Sequence, residues 1–174
     1  MEARAHDRND APATAGKPRL QYAALPFRDI DGVEIMLISS RETRRWVLPK
    51  GWPIKGEKPH AVAAIEALEE AGLSGDVAKK ALGGYHYLKR MRNGAALLCE
   101  VRVFALRVLQ QHKKWPERGQ RTTRWFPAHE AATLVHEPEL QALIRAFADA
   151  TDVRDADTDR TRQRATRQKA TRQA

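Results

Sequence analysis

One cysteine in 174 residues leaves no partner for an internal disulfide. Cys99 lies inside the apolar run AALLCEVRVFAL, which predicts a buried strand and makes the thiol a packing residue. A reducing compartment is the setting that fits. Long hydrophobic runs are also missing. Nothing near the N-terminus has the continuous apolar stretch of a signal peptide, and no segment approaches the roughly eighteen apolar residues of a membrane span. The chain is therefore expected to be soluble and cytoplasmic, with no membrane partner.

What the sequence has in excess is positive charge, a formal +9, and its distribution matters more than its total. Residues 160–174 carry Arg160, Arg162, Arg164, Arg167, Lys169 and Arg172 and no acid, in the near-repeat TRQRA, TRQKA, TRQA. With no apolar residue larger than Ala, this tail cannot build a core. Its expected state is a disordered, solubilising extension, with weak, salt-sensitive contact to RNA or another polyanion as the alternative. Asp152, Asp155, Asp157 and Asp159 precede it against Arg154, and the remainder of the chain stays net basic. That balance suits a polyanionic substrate.

The length fits one domain with a proper core. Residues 1–18 show no hydrophobic period and are expected to be a mobile segment, followed by a domain over 19–149 and the basic tail over 150–174. Within the domain, LQYAALPF and VEIMLISS read as strands around an Asp31-Gly32 turn, and GGYHYLKR and AALLCEVRVFALRV as strands around Asn93-Gly94. QQHKKWPERGQRTT reads as a long polar loop. A short strand near Arg124–Phe126 and a helix from about Pro127 to Leu134 follow. Leu140, Leu143, Ile144 and Phe147 then mark the core face of a last helix near Glu139–Asp149. Strands between helices, with antiparallel hairpins, point to an α/β fold with a mixed sheet packed between helices.

The most informative stretch is Gly51–Leu73, GWPIKGEKPHAVAAIEALEEAGL. Pro59 suits a first helical turn and Gly72 the left-handed residue that closes a helix, so the spacing predicts a helix from roughly Pro59 to Ala71. Glu66, Glu69 and Glu70 then share one face, since three or four residues make about one turn. Like charges at these spacings repel by a few tenths of a kcal/mol per pair, and they sit in the last turn, where the helix dipole favours cations. A helix that carries both penalties in one place is a candidate metal site, and a hard cation such as Mg²⁺ would neutralise the cluster through oxygen ligands.

This spacing resembles the Nudix box: Gly, five residues, Glu, seven residues, Arg-Glu, an apolar residue, any residue, Glu-Glu, any residue, Gly, apolar. The chain supplies Gly51, Glu57, Glu66, Ala67, Glu69, Glu70, Gly72 and Leu73 in register. It departs at one position, where Ile65 stands in place of the family's Arg, a residue understood to pair with a box carboxylate and steady the catalytic Glu. The resemblance implies an α/β/α sandwich over about Arg19 to Ala148, Mg²⁺ or Mn²⁺ as cofactor, and hydrolysis of a diphosphate linkage. It makes Glu66, Glu69 and Glu70 the catalytic and metal-binding residues, with Glu66 and Glu70 as principal ligands and Glu69 as ligand or base. It also implies the Gly51 carbonyl as a backbone ligand, and Glu57 as a ligand of a further metal or a brace for the loop. Many members recruit a further carboxylate from beyond the box, for which Glu117 in WPERG is the candidate.

Phosphate binding needs donors outside the acidic helix. Three basic places offer them: Ser40-Arg41 with Arg44 and Arg45, then Lys89-Arg90 with Arg92, and Arg121 with Arg124. Ser39-Ser40-Arg41, Trp46-Val47-Leu48-Pro49-Lys50-Gly51 and Arg121-Thr122-Thr123-Arg124-Trp125-Phe126 are similar to segments of the Nudix branch acting on diphosphoinositol polyphosphates and diadenosine polyphosphates. Lys50 replaces a Gly found in some of that branch and adds a candidate phosphate contact. The expected substrate is thus a small polyphosphorylated molecule. Nucleoside triphosphates, nucleotide sugars or RNA 5′ ends are the alternative, and a non-catalytic phosphoryl-ligand module is a third reading. His86 and Trp52 carry weaker signals. A lone strand histidine is ordinarily structural, and Trp52 either stacks on a base or packs on its loop.

Overall fold

A computed structural model of the chain describes residues 17–91 and 94–151. The expected N-terminal segment, the basic tail and Arg92 lie almost wholly outside the described residues, so their boundaries stay at the level of the sequence. Among the described residues no helix is long and apolar enough to cross a membrane.

Two long strands dominate: β1 (Arg19–Asp29) and β7 (Ala96–Gln111). They run parallel from Arg19 opposite Cys99 to Phe27 opposite Arg107. Between them in sequence come β2 (Val33–Ser39), β3 (Trp46–Val47), β4 (Lys50–Gly51), α1 (Pro59–Ala71), β5 (Leu73–Val77) and β6 (Gly83–Arg90). After β7 come β8 (Thr123–Pro127), α2 (Ala128–Leu134) and a helix α3 over residues 138–151. The main path of the sheet is β3-β2-β1-β7-β5, with β4 on β1, β6 on β7 and β8 on β2. All pairings except β1 with β7 are antiparallel. The sheet is therefore mixed, as the sequence predicts.

Alternation along the strands fills both faces. Ala23, Leu25, Ile35, Leu37, Val101 and Val103 pack with Ala131, Leu140 and Ile144 of α2 and α3. Tyr22, Ala24, Met36, Ile38, Phe104 and Leu106 pack with Val62, Ala63, Ala67 and Ala71 of α1. Helices thus cover both faces, an α/β/α sandwich. Cys99 is buried, as expected.

α1 begins and ends where its sequence signals put it. Pro59 occupies the first turn, and Gly72 closes the helix at φ 70°, its N–H returning to Ala67 and Leu68 carbonyls. β5 follows immediately and pairs with β7. The sequence reading has no counterpart for β5, because LSGDV has neither alternation nor a β-branched run. The β6 edge is covered by α3: the His86 backbone N–H donates to Glu139 at 2.6 Å, and the ring approaches the same carboxylate at 3.2 Å. His86 is thus held by α3 and does not line the cleft described below.

Candidate active site

The C-terminal half of α1 faces a cleft of about 470 Å³. α1 and β4 contribute Glu66, Glu70, Lys50 and Gly51, and the 40–45 turn contributes Ser40, Arg41 and Arg45. Tyr85, Tyr87, Lys89 and Arg90 come from β6, and Glu117 and Arg121 from the loop after β7. The helix wall is acidic and the surrounding elements are largely basic.

Gly51 is needed where it stands. A Cβ there would collide with the Glu66 carboxylate, so the absent side chain is the seat of Glu66. β4 holds this position by pairing Gly51 with Tyr22 of β1. One residue earlier, the Lys50 backbone N–H donates to Glu70 Oε2 at 3.1 Å. Glu70 is only 7% exposed, and its other oxygen accepts from Arg121 Nη2. Burial raises the Glu70 carboxyl above its ordinary value, against the pull of Arg121 and Lys50. Glu66 is raised to about 7, first by burial and then by the charges of Glu70, Glu69 and Glu117, with Arg121 opposing. The Lys50 amine is lowered, chiefly by desolvation, and lies 5.3 Å from the centre of the Tyr87 ring.

Glu117 reaches the cleft on a loop tied to the end of α1. Its backbone N–H donates to Glu69 O at 3.0 Å, and His112 N–H donates to Gly72 O at 2.8 Å. The Trp115 ring packs where a Cβ on Gly72 would fall, 2.5 Å from that point. The Glu117 carboxylate accepts from Arg121 Nε at 2.7 Å and meets Arg41 at 3.5 Å.

The expected residues are only partly brought together. Gly51, Glu66, Glu70, Ser40, Arg41, Lys50, Lys89, Arg90 and Arg121 all line the cleft, and Glu117 joins them. Glu69 is exposed on the helix beside it. Glu57 is exposed in the loop before α1 and does not line the cleft. Arg124 lies outside it too, stacked over the Phe126 ring at 4.9 Å. Arg92 falls outside the described residues. Tyr85, Tyr87 and Glu137 line the cleft without having been expected. The period of two in GGYHYLKR, which puts Tyr85, Tyr87 and Lys89 on one face, is the signal that finds the tyrosines. Glu137 has no comparable pattern.

Among the described residues no three metal-binding side chains converge on one point as they stand; Glu70 and Glu117 both point at Arg121. The donor set nevertheless fits a hard divalent cation. It is all oxygen, Glu66 sits in a gap left by a glycine, and the neighbouring carboxylates repel it.

No family model matches the sequence. Nudix hydrolase 16, mitochondrial, of Arabidopsis thaliana is 31% identical over 144 residues, covering 74% of this chain and 79% of that protein. The chain belongs to the Nudix hydrolase family. Nudix hydrolase 4 of the same plant is 28% identical over 138 residues, which span 74% of this chain and 65% of the relative. Solved structures share the Nudix fold at lower identity. A C. elegans Ap4A hydrolase superimposes with TM-score 0.56 at 16% identity, over 77% of this chain and 98% of the other. A Nudix hydrolase from Nitrosomonas europaea gives 0.58 at 19%, over 77% and 90%. In this Nudix chain the box helix, its glycine seat and the Glu117 loop form one unit, and Ile65 is the box position that departs.

Proposed function

We propose that this Nudix protein is a metal-dependent hydrolase of phosphoanhydride bonds whose substrate is a small molecule with several phosphates, a dinucleoside polyphosphate or a diphosphoinositol polyphosphate. One observation carries the reading: Glu66, Glu70 and Glu117 share a single cleft with Arg41, Arg45, Lys50, Lys89 and Arg90. A carboxylate wall for a cation opposite cations for phosphate suits metal-assisted anhydride cleavage. Bound at the carboxylates, Mg²⁺ or Mn²⁺ supplies neutralisation of phosphate oxygens and a water of lowered pKa.

The protein's own groups do the rest. Glu66 and Glu70, one helical turn apart, would hold the ion, with the Gly51 carbonyl and Glu117 as further oxygen donors. Arg41, Lys50, Lys89 and Arg90 fix the phosphate chain. Glu69, exposed beside the cleft and engaged neither by Arg121 nor as a principal ligand, would be the carboxylate that takes the proton of the attacking water. Ap4A, named for the C. elegans neighbour, falls in this substrate class.

Trp52 favours a second reading. Its ring lines the cleft, half-buried, with Arg19 and Lys89 each 5.1 Å from its centre. Such a ring suits a base, and so a nucleoside triphosphate, a nucleotide sugar or an RNA 5′ end. A cytoplasmic location and a weak polyanion contact through the tail are proposed from the sequence alone.

The test is product release from a panel of diadenosine polyphosphates, inositol pyrophosphates, nucleoside triphosphates, nucleotide sugars and capped RNA, with Mg²⁺ or Mn²⁺. Turnover greatest on the first two classes supports the reading. Turnover confined to the others selects the second, and none at all points to a binding module.

A further inference from the structure

Arg121 stands in the cleft, yet its guanidinium is turned onto the protein. Nε donates to Glu117 Oε2 at 2.7 Å, Nη2 to Glu70 Oε1, and Nη1 to the Ser39 carbonyl at 3.3 Å. The side chain is 8% exposed. Three of the five N–H donors are thus spent, and the plane of the group is held at three points. Little of it is left to meet a phosphate.

We infer that Arg121 is a positioning residue: it joins Glu117, on the loop, to Glu70, on the helix, and so fixes both carboxylates on the wall of the cleft. The inference rests on the hydrolase reading for its catalytic consequence but not for its geometry. Glu66, Glu70 and Glu117 carry like charge at close quarters, and Glu70 is buried. A buried carboxylate without a partner is strongly disfavoured, and a planar fork between two carboxylates relieves both while fixing their directions. Glu70 Oε2 also takes the Lys50 backbone N–H and Glu117 Oε1 meets Arg41 at 3.5 Å, but a carboxylate has about four lone-pair positions, so one donor on each oxygen still leaves acceptor capacity on both groups.

The helix itself cannot supply this brace. Position 65 lies five residues before Glu70, about 140° away around an α-helix at 3.6 residues per turn. Even the family's Arg at 65 would look toward Glu69, one turn on, and away from Glu70. With Ile65 in that place, the cation on Glu70 comes from outside the box, through a loop whose backbone is already bonded to Glu69 and Gly72.

A double-mutant cycle in Mn²⁺ affinity tests this on the full-length protein without relying on turnover. In the wild-type background Glu117→Gln is expected to weaken Mn²⁺ binding about tenfold; in the Arg121→Gln background the same change should matter less than twofold. Equal effects in both backgrounds, or no effect of Glu117→Gln in either, overturn the inference. Kinetics give the second readout. Arg121→Gln should lower kcat at least thirtyfold with substrate KM within threefold, whereas a tenfold rise in KM with kcat retained would make Arg121 a phosphate ligand. If Arg121→Gln fails to fold, Arg121→Lys replaces it in both experiments. It should lose kcat as Gln does, because a point charge cannot span two carboxylates, and wild-type kcat in that variant counts against the inference. A wild type that turns over no substrate defeats the hydrolase reading alone, since the Mn²⁺ cycle still decides the role of Arg121.

Discussion

Gly51 and Glu66 make the tightest fit in the site, and the fit has an asymmetric consequence. The atoms that a Cβ at 51 would strike are the far end of a flexible side chain, and Gly51 does not have a positive φ. Gly51→Ala should therefore fold with a melting temperature within a few degrees of wild type while losing at least thirtyfold in kcat, because Glu66 must swing aside. A large loss of stability would mean that the glycine serves the backbone instead.

Glu66 also sets a pH dependence. Its carboxyl is raised from 4.5 to about 7 in the folded chain, so the native state binds this proton more tightly than the unfolded state does. The contribution is present in full below about 4.5 and is lost as pH rises through about 7. With chelator present, wild-type stability should fall between pH 5 and 8 more steeply than that of Glu66→Gln. Parallel urea-unfolding curves for the two proteins would contradict the assignment.

At the level of elements, α1 was legible because its signals are local: Pro59 at the start, Gly72 at the end, and three glutamates at helical spacing between them. β6 and the hairpin that joins it to β7 were legible from alternation and a turn dipeptide. β5 was not, and neither were β3 and β4, two residues each, whose existence depends on their neighbours β2 and β1. The Glu117 loop reads as featureless polar sequence because backbone hydrogen bonds and one aromatic contact hold it, and these leave no periodic trace. Gly72 links the two. A Cβ there would be strained at φ 70° and would strike the Trp115 ring. Gly72→Ala should cost about 2 kcal/mol, combining left-handed strain with overpacking. It should also reduce kcat by moving Glu117, which denaturant titration and initial rates would check. An unchanged kcat in the folded variant would separate the loop from the chemistry.

For the molecule as a whole, composition indicated a basic domain, and the fold gathers part of that charge around an acidic helix face. Arg41 and Lys89 approach the cleft from different elements, the turn after β2 and the strand β6. Arg41→Gln and Lys89→Gln should each raise KM for a tetraphosphate substrate about fivefold with kcat within twofold, and wild-type KM should rise with salt as screening shortens. Salt-independent KM would deny the cations a role in phosphate binding. Arg124, equally basic in sequence, was misleading because the alternation of β8, which composition does not encode, puts it on the face of Phe126, outside the cleft.

The central claim is that hydrolysis occurs at this carboxylate cleft and depends on a divalent ion. It is tested most directly by initial rates on a diadenosine or inositol polyphosphate for wild type and Glu70→Gln, each with Mg²⁺ and with chelator. The account predicts turnover only for wild type with Mg²⁺, with at least a hundredfold loss in the folded Glu70→Gln variant. Equal rates in the variant, or turnover that survives chelation, would contradict it.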